Sequence, residues 1–480
     1  MRFLHPERDE LLELALEDVF IVPDLFEGGS RLDVDLTPDD FAGGSHPIVA
    51  ANMNAVTGKR MAETMARLGG LGVLPQDMSL ATVERIVAHV HAAHPRFDTP
   101  LVVGPDATLR DVQGLIHKRA HDMVVVLEDH RPVGILTGAD LLERDQYTPA
   151  AHAMSVDVVT LSASDEPRAM YETLRSNRVR SAPVVDERGH LVGIVGRLDP
   201  VRQSILEPAL DGEGRLQIAA AVGINAGSAK RAAALVEMGV SCVVVDTAHG
   251  HQRKMLDVLA EVRKAVGPSV PLVAGNVCTA RGTRALLDAG ADIVKVNVGP
   301  GAMCTTRMQT GVGRPSFSSV LACAREAHSR GAKVWADGGV KHPRDVALYL
   351  AAGASRVMVG TALAGTFESP GDLRTDPEGR RFKENYGMAS ARAVSDRTEK
   401  DDAFTRARKG FFREGISTSK IYLRNGFESV ADIVVDMISG VRSTFTYVGA
   451  SDLDSLRERV VVGVQTPSGY GEGTPHGRER

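Results

Sequence analysis

The chain has 480 residues, of which 43% are hydrophobic, 24% charged and 4% aromatic, and its formal net charge is −5 at pH 7. This length predicts roughly two to four domains, because one hydrophobic core seldom supports so many residues. The acidic balance excludes nucleic acid as an expected partner. No apolar run reaches the ~18 residues that span a bilayer, so no membrane partner is expected either.

Two further features concern the cellular setting. The charged N-terminus MRFLHPERDE is not typical of a secretory signal, so we expect a cytoplasmic protein. The four cysteines show no CxxC spacing. Neither a disulfide framework nor a zinc site is therefore expected.

The first clear strand-like run is PIVAANMN at 47–54. Its apolar, partly β-branched pattern matches that of the runs found after residue 207, so we assign residues 1–96 to the first part of the same domain. Residues 97–206 break that pattern and are predicted to form a separate inserted domain.

The inserted region contains a weak internal repeat. Residues 108–142 and 166–200 share the order helix, apolar strand, acidic turn, VGI strand and acidic residue. Each half, at about 97–147 and 150–206, resembles a cystathionine-β-synthase-type (CBS) module. The resemblance implies regulatory adenine or guanine nucleotides as ligands, and a purely structural insertion is the alternative.

From about residue 207 the sequence repeats a short apolar run, a Gly-rich or polar turn and a helix-like stretch, which is typical of βα units. The strand-like runs of this part are 216–223, 242–250, 271–277, 292–299, 333–339 and 356–361. With 47–54 they predict a (β/α)8 TIM barrel, and an open doubly wound sheet is the alternative. We assign 207–465 to the rest of the barrel and expect the tail 466–480 to be disordered.

The predicted strands all stop at small or polar residues. These are Asn52, Asn54, Gly223, Asp246, Asn276, Asn297, Asp337, Gly360 and Thr361. In a barrel such strand ends converge on one rim, where barrel enzymes place their active sites. Ordinary strand termination explains one or two of these ends but not seven in register.

Cys304 is the candidate nucleophile, because it stands in a glycine-rich loop, VNVGPGAMCTTR, just after a predicted strand. We expect its thiol to be accessible and to react as the thiolate. A buried loop thiol is the alternative. Cys242 and Cys323 lie in apolar elements and are expected to be core residues, while Cys278 has no glycine-rich loop around it.

Several motifs together resemble the IMP dehydrogenase and GMP reductase family. They are LEDVFIVPD, VAANMNAVTGKRMAETMARLGGLGVL, GPGAMCTTR, ADGGV, MVGTALA and YGMAS, in this order from about residue 10 to 465. The resemblance implies a (β/α)8 barrel with a tandem CBS insertion, a homo-oligomer that is tetrameric or octameric, GMP and IMP as ligands, a nicotinamide cofactor and a monovalent cation, K⁺.

The same resemblance implies roles for individual residues. Those of the substrate site are Asp337 for the ribose hydroxyls, the amides of Gly338, Gly339, Gly360 and Thr361 for the phosphate, and Tyr386, Gly387, Met388 and Ser390 around the base. Those of the cofactor site are Asp246, Asn276 and Gly299. Those of the cation site are the backbone carbonyls of Gly299, Gly301 and Cys304. Helix capping is the alternative role for Asp337, Asp246 and Asn276.

Both reactions of the family pass through Cys304 bonded to C2 of the purine. The release of ammonia by the reductase implies a Thr and a Glu, which match Thr306 and Glu414, and the flap at about 389–414 has Thr398 where the dehydrogenases have Tyr. We therefore predict an NADPH-dependent GMP reductase with catalytic Cys304, Thr306 and Glu414.

Other features keep alternatives open. Most reductases lack a CBS pair, and the flap is nearly of dehydrogenase length, so an IMP dehydrogenase that forms XMP with NAD is the second interpretation. Ala302, Asn54 and Asn385 also depart from the family pattern. A purine-nucleotide sensor without catalysis is the third interpretation.

Overall fold

The computed structural model describes residues 1–385, 402–410 and 419–475. The strands of these residues are β1 Arg2–Phe3, β2 Val19–Val22, β3 Ile48–Ala50, β4 Leu71–Leu74, β5 Leu101–Val103, β6 Met123–Glu128, β7 Arg131–Thr137, β8 Leu161–Ser162, β9 Ser181–Val185, β10 Leu191–Gly196, β11 Ala219–Val222, β12 Cys242–Asp246, β13 Leu272–Val277, β14 Ile293–Val296, β15 Lys333–Asp337, β16 Arg356–Val359, β17 Arg374–Thr375, β18 Arg381–Asn385, β19 Ser419–Tyr422 and β20 Val461–Val464.

The helices of the same residues alternate with these strands over most of the chain. They are α1 Pro6–Asp9, α2 Lys59–Arg67, α3 Leu80–Ala92, α4 Leu109–Ile116, α5 Pro167–Ser176, α6 Asp199–Gln203, α7 Ser228–Glu237, α8 Arg253–Val266, α9 Ala280–Asp288, α10 Thr306–Thr310, α11 Ser316–His328, α12 Pro343–Ala351, α13 Thr361–Ala364, α14 Ala403–Gly410, α15 Val430–Tyr447, α16 Leu453–Arg459 and α17 Pro467–Glu472. None of the helices within the described part of the chain is long and apolar enough to cross a membrane.

Eight parallel strands close into a barrel in the order β11, β12, β13, β14, β15, β16, β3 and β4. The ring closes where β4 pairs with β11, with Val73 opposite Ala219. This confirms the predicted (β/α)8 fold. Seven of these strands were predicted from the sequence. The eighth, β4, was not, because its sequence LGVL is short and follows two glycines.

The barrel interior holds small and medium side chains, among them Val49, Ala219, Val244 and Val273. The amino end is filled by the single tryptophan, Trp335, whose indole N–H donates to Asp40 at 2.6 Å. Interdigitated packing of this kind makes the barrel a solid core and leaves the opposite rim for ligands.

The inserted region follows α3 and returns to the barrel before β11. It contains two three-stranded sheets, β5-β6-β7 and β10-β9-β8. In the first sheet β5 is parallel and β7 antiparallel to the central strand β6, and in the second sheet β8 is parallel and β10 antiparallel to the central strand β9. The repeat seen in the sequence is thus a structural repeat of one helix and three strands.

The C-terminal tail differs from the expectation of disorder. Residues 467–472 form α17, because Thr466 accepts the Gly469 N–H at 3.2 Å and Pro467 occupies the first turn. The Tyr470 ring also packs on the Arg344 guanidinium, 5.3 Å from its centroid. A local cap and one aromatic contact order this segment despite its glycine content.

Candidate active site

The carboxyl ends of the barrel strands open into a cavity of about 660 Å³. The predicted strand-end residues that line it are Asn52, Gly223, Asp246, Asn276, Asp337, Gly360 and Thr361. Cys304, Thr306, Gly301, Gly338 and Gly339 line the same cavity. Asn54 and Asn297 lie outside this lining. The prediction of a shared rim is therefore correct for most of its residues.

Lys295 links the acidic residues of this rim. Its ammonium lies 2.8 Å from Asp246 Oδ1 and 2.5 Å from Asp337 Oδ2, and it also donates to Asn276 Oδ1. The side chain is buried. Burial opposes its charge, but the carboxylates of Asp246 and Asp337 outweigh that effect and raise the pKa of Lys295. Lys295 is not among the site residues predicted from the sequence, although a single lysine within the apolar run DIVKVNVG was a signal.

Asp337 and Asn276 are held toward each other at the ends of β15 and β13. Asn276 Nδ2 donates to Asp337 Oδ2 at 2.9 Å and to the Asn297 carbonyl at 2.8 Å. Helix capping, the alternative role, falls to other residues. The N-cap positions of the helices that follow Asp246, Asn276 and Asp337 are Gln252, Thr279 and His342.

Asp246 also contacts the loop that follows β3. Asn52, itself buried, donates from Nδ2 to Asp246 Oδ2 at 3.0 Å. One carboxylate oxygen thus pairs with Lys295 and the other with Asn52, which fixes the orientation of Asp246 at the cavity wall.

Cys304 presents an exposed thiol, as predicted. The thiol donates to Thr306 Oγ1 at 3.2 Å, and the Cys304 N–H donates to the Gly301 carbonyl at 2.9 Å in a tight turn. The other three cysteines are buried or half-buried, and burial raises the pKa of each thiol, in the case of Cys323 to about 12. Of the four cysteines, all of which lie within the described residues, Cys304 alone is exposed, and this accessibility is what a candidate nucleophile requires.

Glycines shape the other side of the cavity. Gly338 and Gly339 have φ of +76° and +80°, which favour glycine. The Gly338 N–H already donates to the Met358 carbonyl at 3.1 Å, so it is not a free phosphate donor in this geometry. Gly299 lies outside the cavity lining, and a Cβ added there would meet Arg307 Cγ at 2.2 Å.

Five of the predicted site residues lie outside the described residues. They are Tyr386, Gly387, Met388, Ser390 and Glu414. Of the predicted flap, the structure describes residues 402–410, which include α14.

Fold and site together define a TIM-barrel enzyme with an exposed cysteine at the carboxyl rim. The model of the IMP dehydrogenase / GMP reductase domain matches residues 13–476. The chain belongs to this family, as the sequence motifs predicted.

Its relatives include both branches of the family. The chain is 51% identical over 477 residues to proteins named GMP reductase from Mycobacterium tuberculosis and Mycobacterium bovis, covering 99% of each chain. It is 36% identical to an inosine-5′-monophosphate dehydrogenase of Bacillus subtilis, covering 96% of this chain and 95% of that one.

Among solved structures, the chain is similar to a cysteine-to-alanine variant of GMP reductase from Trypanosoma brucei in complex with guanosine 5′-monophosphate. The TM-score is 0.69, the sequence identity is 32%, and 98% of each chain is covered.

Proposed function

We propose that the chain catalyses the NADPH-dependent reductive deamination of GMP to IMP and ammonia, a reaction of purine salvage. The observation that carries this proposal is the exposed Cys304 thiol, 3.2 Å from the Thr306 hydroxyl in the rim cavity. The 51% identity to GMP reductases over 99% of both chains supports the same activity, whereas the dehydrogenase relatives are more distant.

The cavity has groups for each part of a purine nucleotide. Asp337, oriented by Lys295 and Asn276, accepts hydrogen bonds from the ribose hydroxyls. Gly339, Gly360 and Thr361 line the wall that we assign to the phosphate, where a Cβ on Gly339 would come within 3.1 Å of Pro300 and Tyr349. Gly338 stays assigned to this wall because of its positive φ of +76°, and not as a donor to the phosphate. Tyr386, Gly387, Met388 and Ser390 stay assigned to the base by resemblance alone.

The reaction starts when the Cys304 thiolate forms a bond to C2 of GMP. Thr306 and Glu414 relay a proton to the 2-amino group. The bond between C2 and this nitrogen then breaks, ammonia departs, and the purine remains bound to Cys304 as a thioimidate. Bound NADPH supplies the hydride for C2. The Sγ–C2 bond then breaks, and Cys304 is released as the thiolate while IMP departs.

We assign the nicotinamide riboside to the part of the cavity wall that carries Asp246 and Asn276, whose polar side chains would hold it. Gly299, which lies outside the cavity lining, is assigned to the cofactor site by resemblance alone. The backbone carbonyl oxygens of Gly299, Gly301 and Cys304 are the proposed ligands of K⁺. The Gly301 carbonyl already accepts one N–H bond, which leaves one lone pair for a cation.

We assign residues 97–206 to a tandem CBS domain that binds adenine or guanine nucleotides. A cavity of about 970 Å³ lies between its two halves and the barrel. Arg180 and Arg197 line it and can take phosphates. Among the described residues, His121 Nε2 and Gln203 Oε1 are buried there without a hydrogen-bond partner, and His121 Nε2 lies 3.9 Å from Asp98 Oδ2. Buried polar atoms of this kind are normally satisfied, so they point to a polar ligand.

The nucleotide site is tested by calorimetry on the full chain with ATP and with GTP. Binding that is lost in Arg180→Ala/Arg197→Ala supports the assignment, and no heat with either nucleotide contradicts it. We further propose that the protein is cytoplasmic, in line with its four free cysteines. By resemblance to the family, we also propose a homo-oligomer, a tetramer or an octamer.

Two parallel assays test the proposed activity. One contains GMP, NADPH and K⁺, and the other contains IMP, NAD⁺ and K⁺. Oxidation of NADPH with equal amounts of IMP and ammonia supports the reductase. Formation of XMP with NADH would make the chain an IMP dehydrogenase, and no reaction in either mixture would favour a nucleotide sensor.

A further inference from the structure

A buried cluster of ion pairs joins the barrel to the inserted region around Glu63. The Glu63 side chain, on α2, has no exposed surface and accepts hydrogen bonds from Arg119 Nη2 at 2.7 Å and Nη1 at 3.1 Å. It also accepts from Arg67 at 2.5 Å, His89 at 3.0 Å and the Thr99 hydroxyl at 2.5 Å. One carboxylate thus gathers groups from both parts of the chain.

Arg119 is the basic residue that the inserted region contributes to this cluster, beside Thr99 and Asp98. It lies between α4 and β6, and its side chain is 4% exposed. Arg119 Nη1 also donates to Asp98 Oδ1 at 2.8 Å, and Arg67 Nη1 reaches the same oxygen at 3.3 Å. Among the acidic and arginine side chains in direct contact here, Glu63 and Asp98 thus face Arg67 and Arg119, two carboxylates against two guanidinium groups.

Glu63 is connected to the active site through α2. This helix begins at Lys59, directly after the loop 51–58, and Asn52 and Met53 of that loop line the catalytic cavity. The loop is internally braced, since the Thr57 hydroxyl donates to the Ala51 carbonyl at 2.7 Å. Asn52 in turn holds Asp246 at 3.0 Å. A shift of α2 along its axis thus moves the groups that orient Asp246.

We propose that Arg119 is a positioning residue of the active site, which acts through Glu63 to hold α2 and the loop 51–58 in place. The inserted region thereby sets the geometry of the catalytic rim through one bidentate ion pair. A movement that withdraws Arg119 from Glu63 releases the loop. The kinetic part of this proposal rests on the proposed GMP reductase activity, while its structural part does not.

Three variants separate positioning from charge balance. Arg119→Met leaves the cluster with one excess negative charge, and Glu63→Gln leaves one excess positive charge. The double variant Glu63→Gln/Arg119→Met restores the balance but still lacks the ion pair. Arg110→Met removes an exposed arginine of α4 and serves as the matched control.

The first readout is hydrogen–deuterium exchange of peptides that cover residues 51–67 in the full chain. We expect at least about tenfold faster exchange in Arg119→Met and in the double variant, because the loss of even one hydrogen bond to a charged group has about this effect and Arg119 makes three. Exchange in Arg110→Met should equal that of the wild type. Unchanged exchange in both Arg119 variants would overturn the proposal, whatever the enzyme's activity.

The second readout is kcat/KM for NADPH at saturating GMP. We expect a loss of up to about 100-fold in both Arg119 variants, because displacements of about 1 Å in a catalytic site have effects of this size. If the double variant recovers the wild-type value, Arg119 serves charge balance only and the proposal is wrong. A wild-type chain that does not oxidise NADPH would refute the proposed function, and the exchange experiment would still decide the role of Arg119.

Discussion

Lys295→Met is the perturbation that tests the electrostatics of the site most severely. The ammonium of Lys295 lies 2.8 Å from Asp246 and 2.5 Å from Asp337, so its loss leaves two carboxylates without their counter-charge. Removal of one partner from a buried ion pair costs about 3–5 kcal/mol. The two carboxylates keep 16% and 21% exposure, which allows partial hydration. We therefore expect the lower end of that range, about 3 kcal/mol.

The assay is urea unfolding together with GMP binding by calorimetry. Lys295→Met should unfold at lower urea and bind GMP more weakly, because Asp337 loses a group that orients it. The carboxylates raise the pKa of Lys295 in the folded state, so its contribution is fully present below the ordinary lysine value and is lost only as the pH rises through the folded-state value. The difference from the wild type should consequently be constant between pH 7 and 9.

Two controls make this prediction specific. Lys295→Arg keeps the charge and should retain most of the stability. Lys341→Met removes an exposed cation from the same cavity wall and should change the urea midpoint little. A Lys295→Met variant with the urea midpoint and the GMP affinity of the wild type would contradict this prediction.

Three further predictions concern other residues. Cys304→Ala should abolish turnover while GMP still binds in calorimetry, and substantial residual turnover would exclude a covalent mechanism. Glu414→Gln should slow ammonia release more than hydride transfer in single-turnover experiments, and equal slowing of both steps would count against its role. Burial and the nearby Arg356 charge lower the pKa of His46 to about 3. The wild type should therefore lose ~1.4 kcal/mol per pH unit relative to His46→Gln as the pH falls from about 6.5 toward 3, and parallel urea midpoints of the two proteins over that range would contradict this.

The sequence predicted the barrel because its strands carry the information locally. Each apolar run ends at a polar or small residue, and parallel strands bring those ends to one rim. Asp246, Asn276 and Asp337 were found in this way, and the structure places all three on the cavity. The glycine-rich loop indicated Cys304 and the family motifs added Thr306, and the structure places the two side chains in contact.

Other features depend on contacts between distant segments and could not be predicted. The lone lysine of an apolar run marked Lys295 as unusual, but its ion pairs could not be predicted, because β12 and β15 bring the carboxylates to its two sides only in the fold. The ion pair of Glu63 with Arg119 joins residues 56 positions apart, across a domain boundary. The Gly338 N–H looked available for phosphate, but the neighbouring strand already accepts it.

The most direct test of the central claim is a rapid-quench experiment that looks for the bond between Cys304 and the purine. Wild-type enzyme is mixed with GMP and NADPH, quenched in acid within one turnover, digested and analysed by mass spectrometry. We predict that the peptide containing Cys304 gains the mass of GMP less ammonia, that this adduct decays as IMP appears, and that Cys304→Ser forms none. Formation of IMP without any adduct on Cys304 at any time would contradict the covalent mechanism.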